Sequence, residues 1–249
     1  MQNTIWNAVA GSLYEMKRLD VIANNLANAD TNGYKADTLS FNAYLAQIQQ
    51  KRFTGDRRQM HSIQDQMQTH TQFATGALKV TGNQLDVAIA GDGFFTIDTP
   101  DGTMYTRAGN FQLDAEGQLV TTEGNIVVGD TGPLQLQDGL AVDLVFDEYG
   151  LLYQAGEEIG RLQIAHIENP ETLEKAGGKL FRPTQLTRAT PMETPDVRQG
   201  VVEGSNVNLV HEVVGIVQAG RSFEAYQRVI MLVDQLNQRA TQQLGQMPS

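Results

Sequence analysis

Only one stretch of this chain begins as a zinc-binding helix would. His211-Glu212 opens the pattern His-Glu-x-x-His, in which two imidazoles one turn apart hold the metal and the glutamate acts as base. Position 215 is Gly, so the second ligand is missing. His61 and His70 stand in a Gln-rich stretch with no third ligand nearby, and the chain has no cysteine to supply thiolate. Gly91-Asp92-Gly93-Phe94 begins like a dinucleotide loop, but the third Gly is absent and a strand pattern follows instead of a helix. Gly178-Lys179 lacks the rest of a phosphate-binding loop. Asp98 and Asp101-Gly102 do not fill a calcium loop. Asp114 and Glu116 fall in a hairpin turn, and no nucleophile stands with a His and a carboxylate. The residues therefore point to a non-enzyme with no catalytic, cofactor or metal site.

The elements that would carry such groups are of two kinds. Residues 4–28 read as a helix, because Ile5, Val9, Leu13, Met16, Leu19, Ala23 and Leu26 recur at helical spacing. Asn3 is the expected cap. Asn28, Asp30, Asn32 and Gly33 end the helix, since Asn and Gly tolerate the left-handed backbone found there. A short amphipathic stretch is expected from Leu39 to Ile48. Residues 49–73 are polar and Gln-rich and read as an extended connector.

From residue 77 the period changes to short apolar runs separated by turns. Phe94–Asp98, Met104–Arg107, Phe111–Leu113, Gln118–Thr121, Ile126–Val128, Leu134–Leu136, Val142–Phe146, Leu151–Tyr153 and Leu162–Ile167 are the expected strands. Residues 184–200, rich in Thr and Pro, read as a return connector. A last helix starts after Asn208, a natural N-cap, with Glu212 favouring the helix dipole. Its stripe runs through Val213, Ile216, Ala219, Phe223, Tyr226, Ile230, Val233, Asn237, Ala240 and Leu244. Two long apolar faces need cover, because tertiary packing supplies most helical stability. They meet each other in a hairpin within the chain, or they meet other copies. The pattern leaves both readings open.

With 249 residues, of which 41% are apolar and 19% charged, one or two folded domains are expected. A formal net charge of −11 argues against a nucleic-acid groove and against a polybasic membrane anchor. No stretch approaches the roughly 20 apolar residues of a membrane span. The start has no basic region followed by an apolar one, so no cleaved signal is expected.

Several separate stretches resemble one family in the right order. Ile22-Ala23-Asn24-Asn25-Leu26-Ala27-Asn28-Ala29-Asp30-Thr31-Asn32-Gly33-Tyr34-Lys35 is similar to the N-terminal signature of the bacterial flagellar rod and hook proteins. Leu85–Phe95 and Tyr105–Phe111, then Asp114 and Gly117–Val120, resemble that family's β domain. Leu173, Lys175, Gly177 and Leu180-Phe181 resemble a later segment, with Lys179 where Asn is frequent. Val202–Asn208 and Arg221–Glu224 resemble the C-terminal signature.

The length suits a rod member with one β domain. Residues 49–73 contain a single glycine, Gly55. That favours the proximal rod over the distal rod, whose members carry a longer Gly- and Pro-containing insertion there.

The expected fold class is therefore α+β. An all-β central domain, a sandwich or irregular barrel, is flanked by terminal amphipathic helices that form a coiled-coil-like assembly module. The expected boundaries are 1–48 for the N-terminal helices, 49–76 for the connector, 77–204 for the β domain and 205–249 for the C-terminal helix.

The resemblance implies a structural subunit that polymerises through its terminal helices into the axial drive shaft and transmits torque. Its partners would be copies of itself, other rod proteins and the flagellar type III export apparatus, with no cofactor, no nucleic acid and no membrane insertion. Its place would be the basal body, spanning the periplasm after export without cleavage. The expected assembly residues are Asn24, Asn25, Leu26, Asn28, Gly33, Asn206, Asn208, Phe223, Tyr226, Ile230 and Val233. The other readings are a distal-rod or other axial protein, and a non-flagellar β binding module with helical arms.

Overall fold

The computed structural model describes residues 2–40, 69–136 and 143–244. Most of the expected connector and the stretch from 41 to 48 lie outside the described residues. The chain forms two compact units. One is built from Met1–Ala27, Asp37–His70 and Asn208–Ser249, the other from Asn28–Ala36 and Thr71–Val207.

The first unit is a pair of helices, α1 (Gln2–Ala27) and α2 (Leu209–Leu244), with strand β1 (Asp37–Leu39) against α1. The helix starts at Gln2, so Asn3 lies within its first turn instead of capping it. The buried face of α1 also differs from the aliphatic stripe. It carries Ala8, Gly11, Ser12, Glu15, Ile22 and Asn25, while Ile5, Val9 and Leu13 are half-buried and Met16 and Ala23 are exposed. The physical reason is close approach. The Tyr226 ring of α2 sits where a side chain at Gly11 would be, 2.5 Å from an ideal Cβ, and Gly215 of α2 likewise faces Ile22. Small residues let two helices approach where a Leu or Ile would hold them apart.

The second unit is antiparallel β throughout its described pairings. Strand β2 (Thr69–Thr71) leads into it, followed by β3 (Leu78–Val80), β4 (Val87–Ile89), β5 (Phe94–Thr99), β6 (Gly102–Thr106), β7 (Gln112–Leu113), β8 (Leu119–Val120), β9 (Ile126–Gly129) and β10 (Gly132–Pro133). Then come β11 (Leu144–Phe146), β12 (Leu151–Gln154), β13 (Glu157–Arg161) and β14 (Ile164–Ile167). After a 3-10 turn at Pro170–Thr172 come β15 (Leu173–Lys175), β16 (Leu180–Pro183), β17 (Ala189–Pro191), β18 (Val197–Gln199) and β19 (Val201–Glu203).

The main sheet runs β15-β16-β6-β5-β9-β8-β7, with β14 and β17 joined to β5 and β10 joined to β9. Phe95, Ile97 and Val127 alternate inward from it and pack with Val87, Leu144, Leu152 and Val197 of the smaller sheets β4–β18 and β11–β12–β13. This is the α+β arrangement expected, with a mostly β centre between terminal helices.

Two segments depart from the sequence reading. Leu134–Leu136 is not a strand; Leu134 and Leu136 are buried while Gln135 makes an isolated bridge to Gln118. Residues 184–200 are not a plain connector, because β17 pairs with β14 and β18 with β4. Both strands are three residues long and largely polar, so partners far along the chain define them and no local period does. The β12–β13 hairpin was hidden too. Its turn is Ala155-Gly156 with φ of 50° and 86°, where a side-chain-bearing residue rarely stands.

Candidate assembly site

In the β unit three chain segments meet around residues 33–36. Gly33 N–H donates to Glu203 O (2.8 Å) and Gln72 N–H to Ala36 O (2.8 Å). Asn206 closes the junction with its whole amide. Its Oδ1 accepts from Ala36 N–H (2.7 Å), and its Nδ2 donates to Gln72 O (2.7 Å) and Ala74 O (3.1 Å). A side-chain amide suits the place because it offers donor and acceptor together. Gly33 has φ of +70°, and a Cβ there would lie 2.2 Å from Ala108 N. The conformation expected of it in the sequence is thus observed, with backbone crowding in addition. Asn28 accepts at its Oδ1 from the Thr31 hydroxyl (3.3 Å) in the turn just before.

Beneath this junction lies a buried ion cluster. Lys35 is 0% exposed, Glu203 1% and Arg107 4%. Lys35 Nζ donates to Glu203 Oε1 (2.6 Å) and to Ala74 O (2.8 Å), and Gly76 N–H donates to the same carboxylate oxygen (2.8 Å). Arg107 Nη1 stands 3.4 Å from Glu203 Oε2, and Arg107 donates to Ile89 O (3.3 Å) and Gly91 O (2.6 Å) and lies over the Phe94 ring. Burial pushes the Lys35 ammonium and the Arg107 guanidinium below their ordinary ranges, and Glu203 opposes that for both.

Two cations share one carboxylate, and Asp92 adds a further attraction on Arg107. Glu203 Oε2 and Arg107 Nε have no hydrogen-bond partner among the described residues. Such a cluster is a poor source of net stability but a strict specifier of which segments meet, because any member left alone is a buried charge. Lys175 adds a second tie, donating to Lys35 O (2.7 Å) with its ammonium over the Tyr34 ring.

The helical unit has its own asparagine clasp. Asn25 is buried; its Oδ1 accepts from Asp37 N–H (2.9 Å), and its Nδ2 donates to Asp37 O (2.9 Å) and to Glu212 Oε1 (3.0 Å). Asn208 caps α2, its Oδ1 accepting from His211 N–H (3.1 Å). The His-Glu pair thus belongs to a capped helix start. Asn24 is exposed and Leu26 half-buried. Phe223, Tyr226 and Ile230 are half-buried and Val233 buried, on the face of α2 that carries Tyr226 against α1.

The opposite face of α2 is apolar as well. Val210 is 75% exposed, Val213 51%, Val214 49% and Val217 51%, with Met231 and Leu232 continuing the stripe. These are i, i+3, i+4 and i+7 neighbours on one side of the helix. The Lys35–Arg107–Glu203 cluster was missed in the sequence. Its signal was three charged residues inside otherwise apolar or Gly-rich signature stretches.

Three family models match the chain. One described as the flagellar hook protein FlgE/F/G D1 domain covers residues 88–157. Another, the flagellar basal body rod FlgEFG protein C-terminal, covers 198–243, and the flagella basal body rod protein model covers 15–35. Lys35, Arg107 and Glu203 fall one in each. The chain is 34% identical to the flagellar basal-body rod protein FlgG of Agrobacterium fabrum, over 92% of this chain and 94% of that one. It is 28% identical to FlgF of Caulobacter vibrioides, over 98% and 99%, and 31% identical to FlgG of Bacillus subtilis, over 96% and 97%. With the order of elements, the three matched segments and this end-to-end similarity all agreeing, the chain belongs to the flagellar basal-body rod protein family.

Proposed function

We propose that this protein is a non-catalytic structural subunit of the flagellar basal-body rod and polymerises through α1 and α2. The observation that carries this is the outward stripe of Val210, Val213, Val214 and Val217. Together with exposed Met16 on α1, it leaves a helix pair whose larger apolar side chains are on the outside. Exposed apolar stripes of this kind mark contact surfaces. A contact of one face with a different face of the next copy does not close, and it builds a helical filament.

Asn24, Leu26 and Asn28 extend the contact region at the end of α1, and Phe223, Tyr226, Ile230 and Val233 hold the helix pair that presents it. Asn25, Gly33, Asn206 and Asn208 set the geometry of the segments next to the helices. The single glycine in residues 49–73 supports a place in the proximal rod. Export by the flagellar type III apparatus without cleavage, and assembly in the periplasm against other rod proteins, complete the reading.

The test uses Val213→Asp with Val217→Asp. Both positions face away from α1, so the purified variant should melt like the wild type. Ile230→Asp would disturb the pair itself and cannot separate the two effects. In cells the double variant should be made and exported normally, be missing from purified basal bodies and abolish swimming. Incorporation at wild-type levels sinks the reading.

A further inference from the structure

The outer face of the main sheet is covered only in part. Phe94, Tyr105, Ala165 and Phe181 form a small second core there, closed by Phe73. Beyond it the sheet forks. On one side of β5, Phe94 and Phe95 pair with β14, while Ile97 and Asp98 pair with β9. β14 leads on to β17 and β9 to β10, and the two branches leave a cleft of about 310 Å³ between them. Thr96 stands at the point of the fork: its N–H donates to Gln163 O (3.1 Å), and Gln163 N–H donates to Val128 O (3.0 Å).

Thr96 is 5% exposed, lines the cleft, and its hydroxyl has no hydrogen-bond partner among the described residues. A buried hydroxyl left in this way costs about 1–3 kcal/mol. A buried polar group without a partner in a structure otherwise well bonded calls for a role. The rest of the lining says what would satisfy it. Thr103, Tyr105 and Thr190 bring further hydroxyls and Gln163 an amide. All of these both donate and accept, as sugar hydroxyls do. Asp98, exposed at the rim, supplies a carboxylate able to accept from two adjacent hydroxyls. Val128, Pro133, Ala165 and Pro191 give apolar walls for the C–H face of a ring.

No Lys, Arg or His lines the cleft among the described residues, and the chain carries a net charge of −11, so an anion finds no counter-charge. The volume is at the lower end of small-ligand pockets. We propose that this fork is a binding site for a neutral saccharide unit, with Thr96 as the hydroxyl that reads its position.

The test is a titration of the full-length protein with cellobiose and N,N′-diacetylchitobiose, followed by amide shifts in the NMR spectrum and by calorimetry. Lysine amide, a cationic competitor for Asp98, is titrated alongside. At least one saccharide should shift the amides of Thr96, Gln163 and Thr190 in a saturable way. Thr96→Val keeps the shape and removes the hydroxyl. It should melt at or above the wild-type temperature and bind that saccharide roughly ten-fold more weakly, the worth of one hydrogen bond. The proposal is overturned if neither saccharide binds or if lysine amide alone does. It is equally overturned if Thr96→Val binds as the wild type does, or if it melts lower, since the hydroxyl would then have a structural partner.

Discussion

The two units of this protein place their large side chains in opposite ways. In the β unit Phe95, Ile97, Leu119, Leu144, Leu152 and Phe181 are almost wholly buried. In the helical unit the buried face of α1 is built from Ala8, Gly11, Ser12 and Glu15, and the valines of α2 from 210 to 217 are exposed. A buried Ile, Leu or Phe contributes about 1.5–3 kcal/mol relative to an exposed one, while Ala and Gly offer little area to bury. The β unit therefore holds itself together. The helix pair is a close fit with little apolar area inside it, and most of what it has to bury needs another chain. A subunit that must stay soluble before assembly and commit to a filament afterwards gains from this division.

The largest effect is expected where the β unit has no room. At Gly33 a Val would need a left-handed φ that β-branched residues resist, and its Cβ would meet the backbone of Ala108. Gly33→Val should cost more than about 4 kcal/mol, a loss reserved for backbone strain and burial failures. The β unit should then be degraded by protease at temperatures where the wild type resists. Survival of a wild-type melt would show that the junction around residues 33–36 yields, and the contrast between the units would weaken.

Next comes Glu203→Gln, which keeps the shape but leaves the Lys35 and Arg107 cations buried without their carboxylate. Breaking a buried cluster on one side costs about 3–5 kcal/mol. Thermal melting of the β unit, followed by near-ultraviolet circular dichroism, measures it. A companion variant, Lys35→Met with Glu203→Leu, removes both partners and should recover much of the loss. Its failure to recover would mean that the cluster stabilises and does not only specify.

How far these features were legible follows from their range. The helices, the hairpin turns with Asp-Gly and the α2 cap were readable because neighbours in sequence determine them. Which face of α1 is buried was not, since hydrophobic periodicity marks apolar faces without saying what will cover them. Gly11 and Tyr226 are more than two hundred positions apart, and only their meeting selects the small-residue face. The same holds for Lys35, Arg107 and Glu203. The signature stretches marked them as part of a family pattern, but no local rule brings three distant charges to one buried point.

A middling effect is expected at that helix contact. Gly11→Leu puts a side chain into the Tyr226 ring and should cost about 1–3 kcal/mol by overpacking. It should loosen α1 from α2 while the β unit melts unchanged, which limited proteolysis of α1 would register. Equal loss in both units would mean that they do not differ in self-sufficiency.

The smallest effect belongs to the start of α2. Asn208 gives its Oδ1 to the His211 amide, one of the N–H groups that a helix start leaves unpaired. Asn208→Ala should therefore cost about 1 kcal/mol, and Asn208→Ser should restore nearly all of it. The loss should stay local, because Glu212 remains available to Asn25 and the Asn25 clasp on Asp37 does not involve the cap. Hydrogen exchange reads this directly. The amides of His211 and Glu212 should exchange several-fold faster in Asn208→Ala, while those of the β-unit core keep wild-type protection. If exchange quickens along all of α2, the helix pair has too little internal stability to absorb even a fraying turn. If it quickens nowhere, the cap is redundant and the packing on α1 alone fixes where the helix begins.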